Sequence, residues 1–562
     1  MASKKLAFVF AAAVITTITL DAQQPSRRFY PDDPILVDND KRDIAPVAKD
    51  ELSKSYDFLF NTFARKASDG RSAININTLG EVPDSSWFTN RLGSRDMSLD
   101  EILRGPNTID GPAPGPWQVI GSSTGGITPK FAIRDANGVK FLIKLDPPHE
   151  PGLSSSVELI STKSFHAIGY TVPEDFIASL DPRQLTVADN VTVKRDTGEK
   201  KLTLADVQLW LKSQPRQADG TIRVLASRWV PGKVVGSFRF TGTRPDDPND
   251  IYPHEQRREL RGLRVFAAWL NHDDARSLNS IDSYVEENGR RYIRHYLQDF
   301  GSTLGSGSTS AQQPRGGYEY LIEGDKIRKG LLTFGLWQRD WMKAKYSKLP
   351  SLGNIESAVF DAATWKTEYP HPAFDAMDAE DAFWAARIAA KFDDETIGAI
   401  VGASKMTSEA AAKELTRVII ERRNKVVAQW ITGVNPLDSF EVRKAHSGPI
   451  LLFDNAAIRA GVAAPHETYQ TTWSSFDNIT GIELVAGESE EYSEPVARIP
   501  DAAFGPADDS GAQYAIAAIR TFHGAFPQWA APVRVTVRKR AGTIDIVGIA
   551  RKRARTTVST ND

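Results

Sequence analysis

The chain has 562 residues, of which 41% are hydrophobic, and its 69 Lys and Arg nearly balance its 71 Asp and Glu. This length predicts about two to four domains with a sizeable core, and the balanced charge argues against a dedicated nucleic-acid-binding protein. The sequence contains no cysteine, which excludes disulfide bonds, cysteine-rich zinc sites and cysteine nucleophiles.

The N-terminus has the pattern of an export signal. Lys4 and Lys5 form a short positive region, and the run from Leu6 to Leu20 is uncharged and mostly apolar. This run is too short to span a membrane comfortably and is typical of a secretory signal. We therefore expect residues 1–22 to be a signal peptide and the mature chain to be secreted or periplasmic in a bacterial envelope. An uncleaved membrane anchor is the alternative.

Residues 23–114 are expected to form an N-terminal extension. Its first part is rich in Pro and Asp and is predicted to be extended. Apolar residues near helical spacing follow, at Val47, Leu52, Tyr56, Leu59, Phe60 and Phe63. Trp87 and Phe88 are predicted to anchor an ordered loop, and a proline cluster at 112–116 marks the boundary to the next segment.

From residue 117 the apolar period changes to that of strands. The stretch "WQVIGSSTGGITPKFAIRDANGVKFLIKLD" predicts three strands, joined by a Gly-rich turn and by an Asn-Gly turn at Asn137–Gly138. A helix that ends at Gly169 is predicted next. Lys144 lies on the third strand, where a buried ammonium group needs an acidic partner. Glu158, in the following helix, is well placed to be that partner.

The stretch "HDDARSLNSIDSYVEENGRRYIRHYLQDFG", residues 272–301, brings three polar motif residues into one segment: Asp274, Asn279 and Asp299. A second Asn-Gly turn, Asn288–Gly289, predicts a hairpin that returns Asp299 to Asn279. Phosphoryl transfer needs a catalytic Asp, a metal-binding Asn and a metal-binding Asp in this order. The Gly-rich turn before them fits, because its backbone N–H groups can bind phosphate. The alternative is chance, since Asp, Asn and Gly are all common in turns.

Residues 436–562 are predicted to form a β-rich C-terminal domain. Alternating strands and Trp473 would suit a module that binds a glycan or a partner, and a module that only packs against the rest is the alternative. The end of the chain is basic, at Arg534, Arg538, Lys539, Arg540, Arg551, Lys552, Arg553 and Arg555. These residues predict either a solvated face or an anionic surface partner.

With these motifs the sequence resembles the protein-kinase-like superfamily over residues 115–435. "FLIK" at Lys144 is similar to V-A-I-K, "HDDARSLN" has the spacing of H-R-D-x-x-x-x-N, and Asp299-Phe300-Gly301 follows. The phrases "GGITPKF", "AIGYTVPEDF" and "FAAWLNHDDARSLN" look closer to the HipA-like and CotH-like bacterial branches, and to secreted Golgi-type kinases, than to eukaryotic Ser/Thr kinases. The resemblance implies an α+β, two-lobed kinase-like fold with an N-lobe at 115–240 and a C-lobe at 241–435.

The resemblance also implies a role for the catalytic and metal-binding positions. Lys144 would contact the α- and β-phosphates of ATP and pair with Glu158. Asp274 would orient and deprotonate the attacking hydroxyl group. Asn279 and Asp299 would hold Mg²⁺.

Four further residues would bind the nucleotide. Gly121, Gly125 and Gly126 belong to the turn that would cover the phosphates, and Trp229 begins the segment that would form the hinge beside the adenine.

The sequence departs from the kinase pattern at several points. Asp273 replaces the usual Arg of the catalytic loop, so either Asp273 or Asp274 could be the base, and the spacing to Asn279 favours Asp274. The turn reads G-S-S-T-G-G, and no A-P-E follows Asp299, which puts the peptide-docking segment in doubt. We expect an exported kinase that uses Mg-ATP on a protein Ser/Thr, sugar or lipid hydroxyl. The alternative is a catalytically inactive binding or scaffold protein of the envelope.

Overall fold

The computed structural model describes residues 28–64, 70–123, 130–195, 198–446, 448–465 and 467–551. These residues form a mixed α/β architecture with a six-stranded sheet, a layer of helices and two C-terminal sheets, and the two C-terminal sheets share one hydrophobic core. No helix within these ranges is long and apolar enough to cross a membrane. The expected signal peptide lies outside them, so export stays a prediction, as do the domain limits.

The helices of the described residues are α1 (Lys54–Leu59), α2 (Leu99–Arg104), α3 (Leu153–Ile168), α4 (Leu204–Leu211), α5 (Arg258–Leu270), α6 (Gly324–Leu332), α7 (Pro372–Asp375), α8 (Ala379–Ala389), α9 (Asp394–Ala403), α10 (Glu409–Ile431) and α11 (Ala456–Arg459). The strands are β1 (Trp117–Ser123), β2 (Lys130–Arg134), β3 (Lys140–Lys144), β4 (Asp175–Leu180), β5 (Leu185–Val187), β6 (Thr192–Arg195), β7 (Gly198–Lys201), β8 (Ile222–Arg228), β9 (Lys233–Gly236), β10 (Ser280–Glu287), β11 (Arg290–Leu297), β12 (Leu437–Ala445), β13 (Gly448–Asn455), β14 (Thr468–Phe476), β15 (Glu483–Val485), β16 (Glu490–Tyr492), β17 (Val496–Arg498), β18 (Gln513–Phe522), β19 (Val533–Arg540) and β20 (Thr543–Arg551).

The N-terminal extension has little regular structure in the ranges that the structure describes. Helix α1 covers only six residues and continues as a π-helical turn, Phe60–Ala64. Tyr56 and Phe63 are exposed. Four of the six apolar residues near helical spacing, Tyr56, Leu59, Phe60 and Phe63, lie in α1 and this turn, whereas Val47 and Leu52 precede α1. Trp87 and Phe88 are buried, which confirms their prediction as anchors.

The first sheet has the strand order β4-β8-β3-β2-β1-β5. Strands β1, β2 and β3 are consecutive and antiparallel, and β8 pairs with β3 so that Lys144 lies opposite Leu225. The predicted hairpin between β2 and β3 is confirmed. Its turn is longer than two residues because the Asp135 carboxylate accepts the amide N–H groups of Asn137 and Val139, at 3.0 and 2.8 Å.

Helix α3 is fixed at both ends. Asp146, shortly after β3, accepts the backbone N–H groups of Gly152 and Ser155 at 2.9 and 2.8 Å. The helix ends at Gly169 as predicted, where φ is 143° and an added Cβ would lie 2.2 Å from the Phe88 ring. Only glycine fits there. The strand and the loop beneath the helix therefore set where its side chains point.

Strands β10 and β11 form the predicted hairpin, with β9 on the far side of β10. Asn288 and Gly289 have φ of 51° and 73°, the left-handed conformation that a two-residue turn of this kind requires. Ser280 pairs with Leu297 at the open end of the hairpin. The residues that flank the hairpin therefore lie side by side.

Helix α5 leads the chain into this hairpin. It packs against α7, α8 and α10, and all of its residues except Arg264 are buried. Its Trp269 belongs to the same core as Trp384 of α8. The helix ends at Leu270, and Asn271 follows in the left-handed conformation with φ of 49°. The segment 272–279 therefore begins at the rigid end of a buried helix.

The C-terminal strands form two sheets, β12-β13-β17 and β15-β14-β18-β19-β20, with β16 beside β14. Trp473 is buried in their common core, so it is not available to bind a glycan. Arg534, Arg538 and Lys539 form ion pairs with acids of this region. Residues 552–562 lie outside the described part of the chain, and the anionic partner stays a prediction.

Candidate active site

Lys144 and Glu158 meet where β3 faces α3. The Lys144 ammonium lies 2.5 Å from the Glu158 carboxylate, and both side chains are largely buried. Burial alone would lower the pKa of Lys144, but Asp299 and Glu158 outweigh it and raise the pKa above its usual value. Burial raises the pKa of Glu158 to about 7 despite the neighbouring ammonium. The pair that the sequence predicted is therefore present.

Asp299 joins this pair from the end of β11. Its carboxylate lies 3.0 Å from the Lys144 ammonium and 3.4 Å from that of Lys130. The two lysines lower its pKa well below the usual range, Lys144 most strongly. Asp299 has φ of 62°, which is uncommon for a residue with a side chain and marks a constrained position.

The hairpin brings Asp299 back to Asn279, as predicted. The backbone N–H of Gln298 donates to the Asn279 carbonyl oxygen at 3.0 Å. The Asn279 amide nitrogen donates to the Asp274 carbonyl oxygen at 2.7 Å. That bond leaves the amide oxygen of Asn279 as the atom that can bind a cation.

Asp274 lies in the same cleft and carries a carboxylate that can change its protonation near neutral pH. Burial raises its pKa to about 7, although Arg276 acts in the opposite direction. The Arg276 guanidinium is 2.8 Å from the Asp274 carboxylate and 3.0 Å from that of Glu368. A general base works best when its pKa is near the working pH, so Asp274 fits that role.

Asp273 differs from Asp274 in its surroundings. It is 7% exposed, and burial, followed by the charges of Asp274 and Glu368, raises its pKa well above the usual value. Its backbone carbonyl accepts the N–H of Glu368 at 2.9 Å. Its side chain hydrogen-bonds to Gln312. Burial therefore disfavours the ionised form of Asp273, and these contacts suit a residue that supports the loop.

Phe300 and Gly301 hold Asp299 against α3. The Phe300 ring stacks on Phe165 of α3 at 4.9 Å and meets His272 edge-on at 5.5 Å. Burial lowers the pKa of His272 to about 3, so this ring is neutral. An added Cβ on Gly301 would lie 2.6 Å from the Ser154 hydroxyl. Close packing therefore links the Asp-Phe-Gly segment to the helix that carries Glu158.

Asp274 and Asp299 open into a cleft of about 720 Å³. Its wall contains the charged residues Lys54, Lys130, Asp273, Asp274, Arg276, Asp299, Arg315, Glu319 and Glu368. Polar small residues from 302 to 313 form another side of the cleft. The cleft thus combines acids, cations and backbone groups, and a phosphate ester with a bound cation suits that chemistry.

The structure says less about the four residues that were predicted to bind the nucleotide. Gly121 lies near the end of β1, whereas Gly125 and Gly126 fall outside the described residues. Trp229 directly follows β8, is 50% exposed, and has the Lys140 ammonium 5.0 Å from its ring centre. Their contacts with a nucleotide stay predictions.

Sequence reasoning missed Lys130, Arg276 and the part of α1 at the cleft. Lys130 is the first residue of β2 and lies opposite Lys144 in the strand register, so the predicted hairpin could have revealed it. Arg276 could have been noticed as a cation between two motif acids. Lys54 and Phe58 line the cleft from a distant part of the sequence, and no local sequence pattern predicts this contact.

The donor set of Asp299 and Asn279 fits Mg²⁺. A carboxylate and an amide oxygen are the hard ligands that Mg²⁺ prefers, and it usually takes only one or two from the protein and the rest from phosphate and water. Consistent with this, the described residues contain no group of three or more His, Asp or Glu that could hold a metal by itself.

No model of a known protein family matches the chain, and no curated protein matches it either. Two solved structures, both kinases, align with it weakly. One is the proinflammatory kinase CtkA of Helicobacter pylori, with 13% identity, a TM-score of 0.28, and coverage of 54% of this chain and 94% of that chain. The other is a Golgi casein kinase, with 11% identity, a TM-score of 0.24, and coverage of 71% and 95%. Likenesses this low establish neither fold nor function, and a HipA-like or CotH-like relationship stays a prediction.

Proposed function

We propose that this chain is an exported phosphotransferase that uses Mg-ATP to phosphorylate a hydroxyl group. The observation that carries the proposal is that Asp274, with a pKa of about 7, and Asp299 line one cleft while Lys144 bridges Asp299 and Glu158. Kinases need this Lys–Glu pair, this metal-binding Asp and this base together. Chance residues in turns would not converge on one cleft.

The architecture supports a two-lobed kinase-like fold. In this proposal the first sheet and α3 form the N-lobe at 115–240, and the helical layer with the β10–β11 hairpin forms the C-lobe at 241–435. The segment that starts at Trp229 connects them and serves as the hinge beside the adenine. The segment from Gly121, near the end of β1, through Gly125 and Gly126 covers the phosphates.

Each charged residue then has a distinct task. Asp274 accepts the proton of the acceptor hydroxyl group while the oxygen of that hydroxyl group bonds to the γ-phosphorus of ATP. The bond from that phosphorus to the bridging oxygen breaks, and ADP leaves with the electron pair. Lys144 and Lys130 neutralise phosphate charge, and Glu158 orients Lys144. Bound Mg²⁺ would supply further charge neutralisation at the phosphates.

The acceptor in this proposal is a hydroxyl group of a protein Ser or Thr, a sugar or a lipid. The test is transfer of labelled phosphate from ATP by the purified chain, alone and with cell-envelope extracts. Asp274→Asn should keep Mg-ATP binding and lower transfer by a factor of about 10² to 10⁴, because it removes the base.

Asp273→Asn is the matched control, and its effect should be much milder because the Asp273 carboxyl group is buried and hydrogen-bonded to Gln312 within the loop. If the Asp273→Asn variant is inactive and the Asp274→Asn variant is active, Asp273 is the base and Asp274 supports the loop. If the wild-type chain binds Mg-ATP but transfers phosphate to no acceptor and not to itself, the proposed phosphotransferase activity is wrong. The chain would then be a nucleotide-binding scaffold protein.

A further inference from the structure

Helix α6 and the turn after it form an exposed apolar surface. No residue of α6 is buried, and Leu331 and Leu332 in its last turn are 73% and 74% exposed. Phe334 and Leu336, just beyond the helix, are 94% and 86% exposed. We call these four side chains the apolar turn. Scattered exposed apolar residues are ordinary, but a contiguous group marks an interaction site.

The backbone holds Phe334 in an unfavourable conformation at the tip of this turn. The N–H of Gly335 donates to the carbonyl of Gly330 at 2.9 Å, and Phe334 has φ of 51°. This is a common helix ending in which the left-handed residue is usually glycine. A bulky side chain is disfavoured there, and the Phe334 ring gains nothing from packing because it is almost fully exposed. A binding partner for the ring would account for it.

Positive charge surrounds the apolar turn. From residue 324 to residue 346 the chain has two acids, Asp325 and Asp340, and six basic residues: Lys326, Arg328, Lys329, Arg339, Lys343 and Lys345. Glu319, Asp325 and Asp340 form ion pairs with four of these cations. Lys329 lies 4.3 Å from the centre of the Trp337 ring. Excess cations beside exposed Leu and Phe, with a partly exposed Trp, are typical of segments that lie in the interface of an anionic membrane.

The same segment borders the active-site cleft. Glu319 and Leu321, just before α6, line that cleft. Lys326 and Lys343 line a neighbouring cavity of about 770 Å³ together with Trp365. The ion pairs of Lys326 and Arg339 with Glu319 therefore attach the segment to the wall of the cleft.

We propose that residues 324–346 dock on an anionic phospholipid surface. The apolar turn inserts below the headgroups, and the flanking cations bind the lipid phosphates. A convex tip of four apolar side chains fits a lipid surface better than it fits a groove, and the net positive charge selects anionic lipid. The inference goes beyond the proposed function and holds whether or not the cleft transfers phosphate.

The experiment is vesicle flotation of the full chain. Vesicles are made of phosphatidylcholine alone or of equal parts phosphatidylcholine and phosphatidylglycerol, at low and high salt. We expect binding to the anionic vesicles that weakens with salt. Phe334→Ser/Leu336→Ser should lower the partition coefficient by about tenfold or more, because it removes two inserting side chains.

Leu484→Ser/Val485→Ser is the matched control, since these two residues of β15 are also exposed, at 64% and 69%. It should bind like the wild type. All variants share the same N-terminus, so a difference between them reports the apolar turn, and melting curves confirm that each variant is folded. Equal binding by the Phe334→Ser/Leu336→Ser variant and the wild type would overturn the proposal. Light scattering gives a second test. A dimeric wild type and a monomeric Phe334→Ser/Leu336→Ser variant would also overturn the proposal, because the apolar turn would then bind a second copy of the chain.

Discussion

At the scale of single residues, the main feature is the balance of charge around Asp299. Lys130 and Lys144 both reach its carboxylate because the register of β2 and β3 places them opposite each other. The two ammonium groups keep Asp299 ionised at any working pH. A carboxylate that stays charged is suited to bind a cation, whereas Asp274, with a pKa of about 7, is suited to exchange a proton.

The raised pKa of Asp274 predicts the pH dependence of transfer. Only the ionised carboxylate can accept a proton, so kcat/KM should rise with pH and level off above an inflection near 7. Arg276 lowers the pKa of Asp274. Arg276→Gln should therefore move the inflection to higher pH, with activity recovering in alkaline buffer. The measurement is kcat/KM against pH at a fixed, saturating Mg²⁺ concentration.

Arg291→Gln is the control for this pH profile, because Arg291 pairs with Asp43 on the surface. Its inflection should equal that of the wild type. An Arg276→Gln profile with an unchanged or lower inflection would show that Asp274 is not the titrating base. The raised pKa of Asp274 also makes the stability of the folded state depend on pH. A raised carboxyl pKa favours the protonated folded state, so this contribution to stability is lost as the pH rises through about 7.

At the scale of elements, β3 and α3 act as one unit. The Asp146 cap fixes the start of the helix, and the Lys144–Glu158 pair ties its middle to the strand. Phe300 packs against Phe165 of the same helix. The position of α3 is therefore coupled to the position of Asp299, and a shift of the helix would disturb three site residues together.

A double-mutant cycle tests this coupling. Lys144→Ala and Glu158→Ala should each destabilise the fold and weaken Mg-ATP binding, because the first leaves Glu158 buried without a cation and the second removes one of the two carboxylates beside Lys144. The double variant should lose less unfolding free energy than the two single variants added together, with a coupling of about 1 to 3 kcal/mol. The measurement is the free energy of unfolding in denaturant, with Mg-ATP affinity as a second readout.

The matched cycle uses Glu441→Ala and Arg443→Ala, an ion pair at 2.7 Å on β12 whose side chains are both exposed. Exposed pairs contribute little, so this cycle should show no measurable coupling. Strict additivity at Lys144 and Glu158 would mean that the two side chains do not interact in solution.

The sequence predicts most of these elements because their signals are local. The two Asn-Gly turns, the glycine at the end of α3 and the strand periods lie within a few residues of what they specify. The Lys144–Glu158 pair could also be predicted, since a lysine on a buried strand requires an acid. The long Asp135 turn and the short α1 were not predicted, because side-chain hydrogen bonds and distant packing decide them.

At the scale of the whole molecule, the N-terminal extension contacts several regions far away in sequence. Phe29 stacks on Tyr514 in the C-terminal sheet at 5.9 Å. Trp87 stacks on His295 of β11 at 3.5 Å. Asp57 of α1 accepts the hydroxyl of Tyr369, beside the cleft, at 2.6 Å. Partners more than 200 residues apart leave no periodic signal, so the sequence could suggest only an extended segment.

The C-terminal sheets are attached to the helical layer by charged contacts. Arg387 of α8 lies 3.0 Å from Asp438 of β12, and the Arg551 guanidinium of β20 lies 4.5 Å from the centre of the Phe383 ring of α8. With Trp473 buried in their core, these sheets fit a packing module better than a glycan-binding one. The basic residues at the end of the chain did not reveal this, because composition does not show which charges are paired.

The central claim is that the cleft binds a nucleotide through a metal held by Asp299. The most direct measurement is titration calorimetry of ATP into the purified chain, with Mg²⁺, with the metal chelated, and with Asp299→Asn in the presence of Mg²⁺. We predict saturable binding by the wild type that requires Mg²⁺ and is lost in Asp299→Asn, because this change removes the carboxylate that binds the metal. A wild-type chain that binds no nucleotide with Mg²⁺ or Mn²⁺, or an Asp299→Asn variant that keeps full Mg²⁺-dependent affinity, would contradict the account.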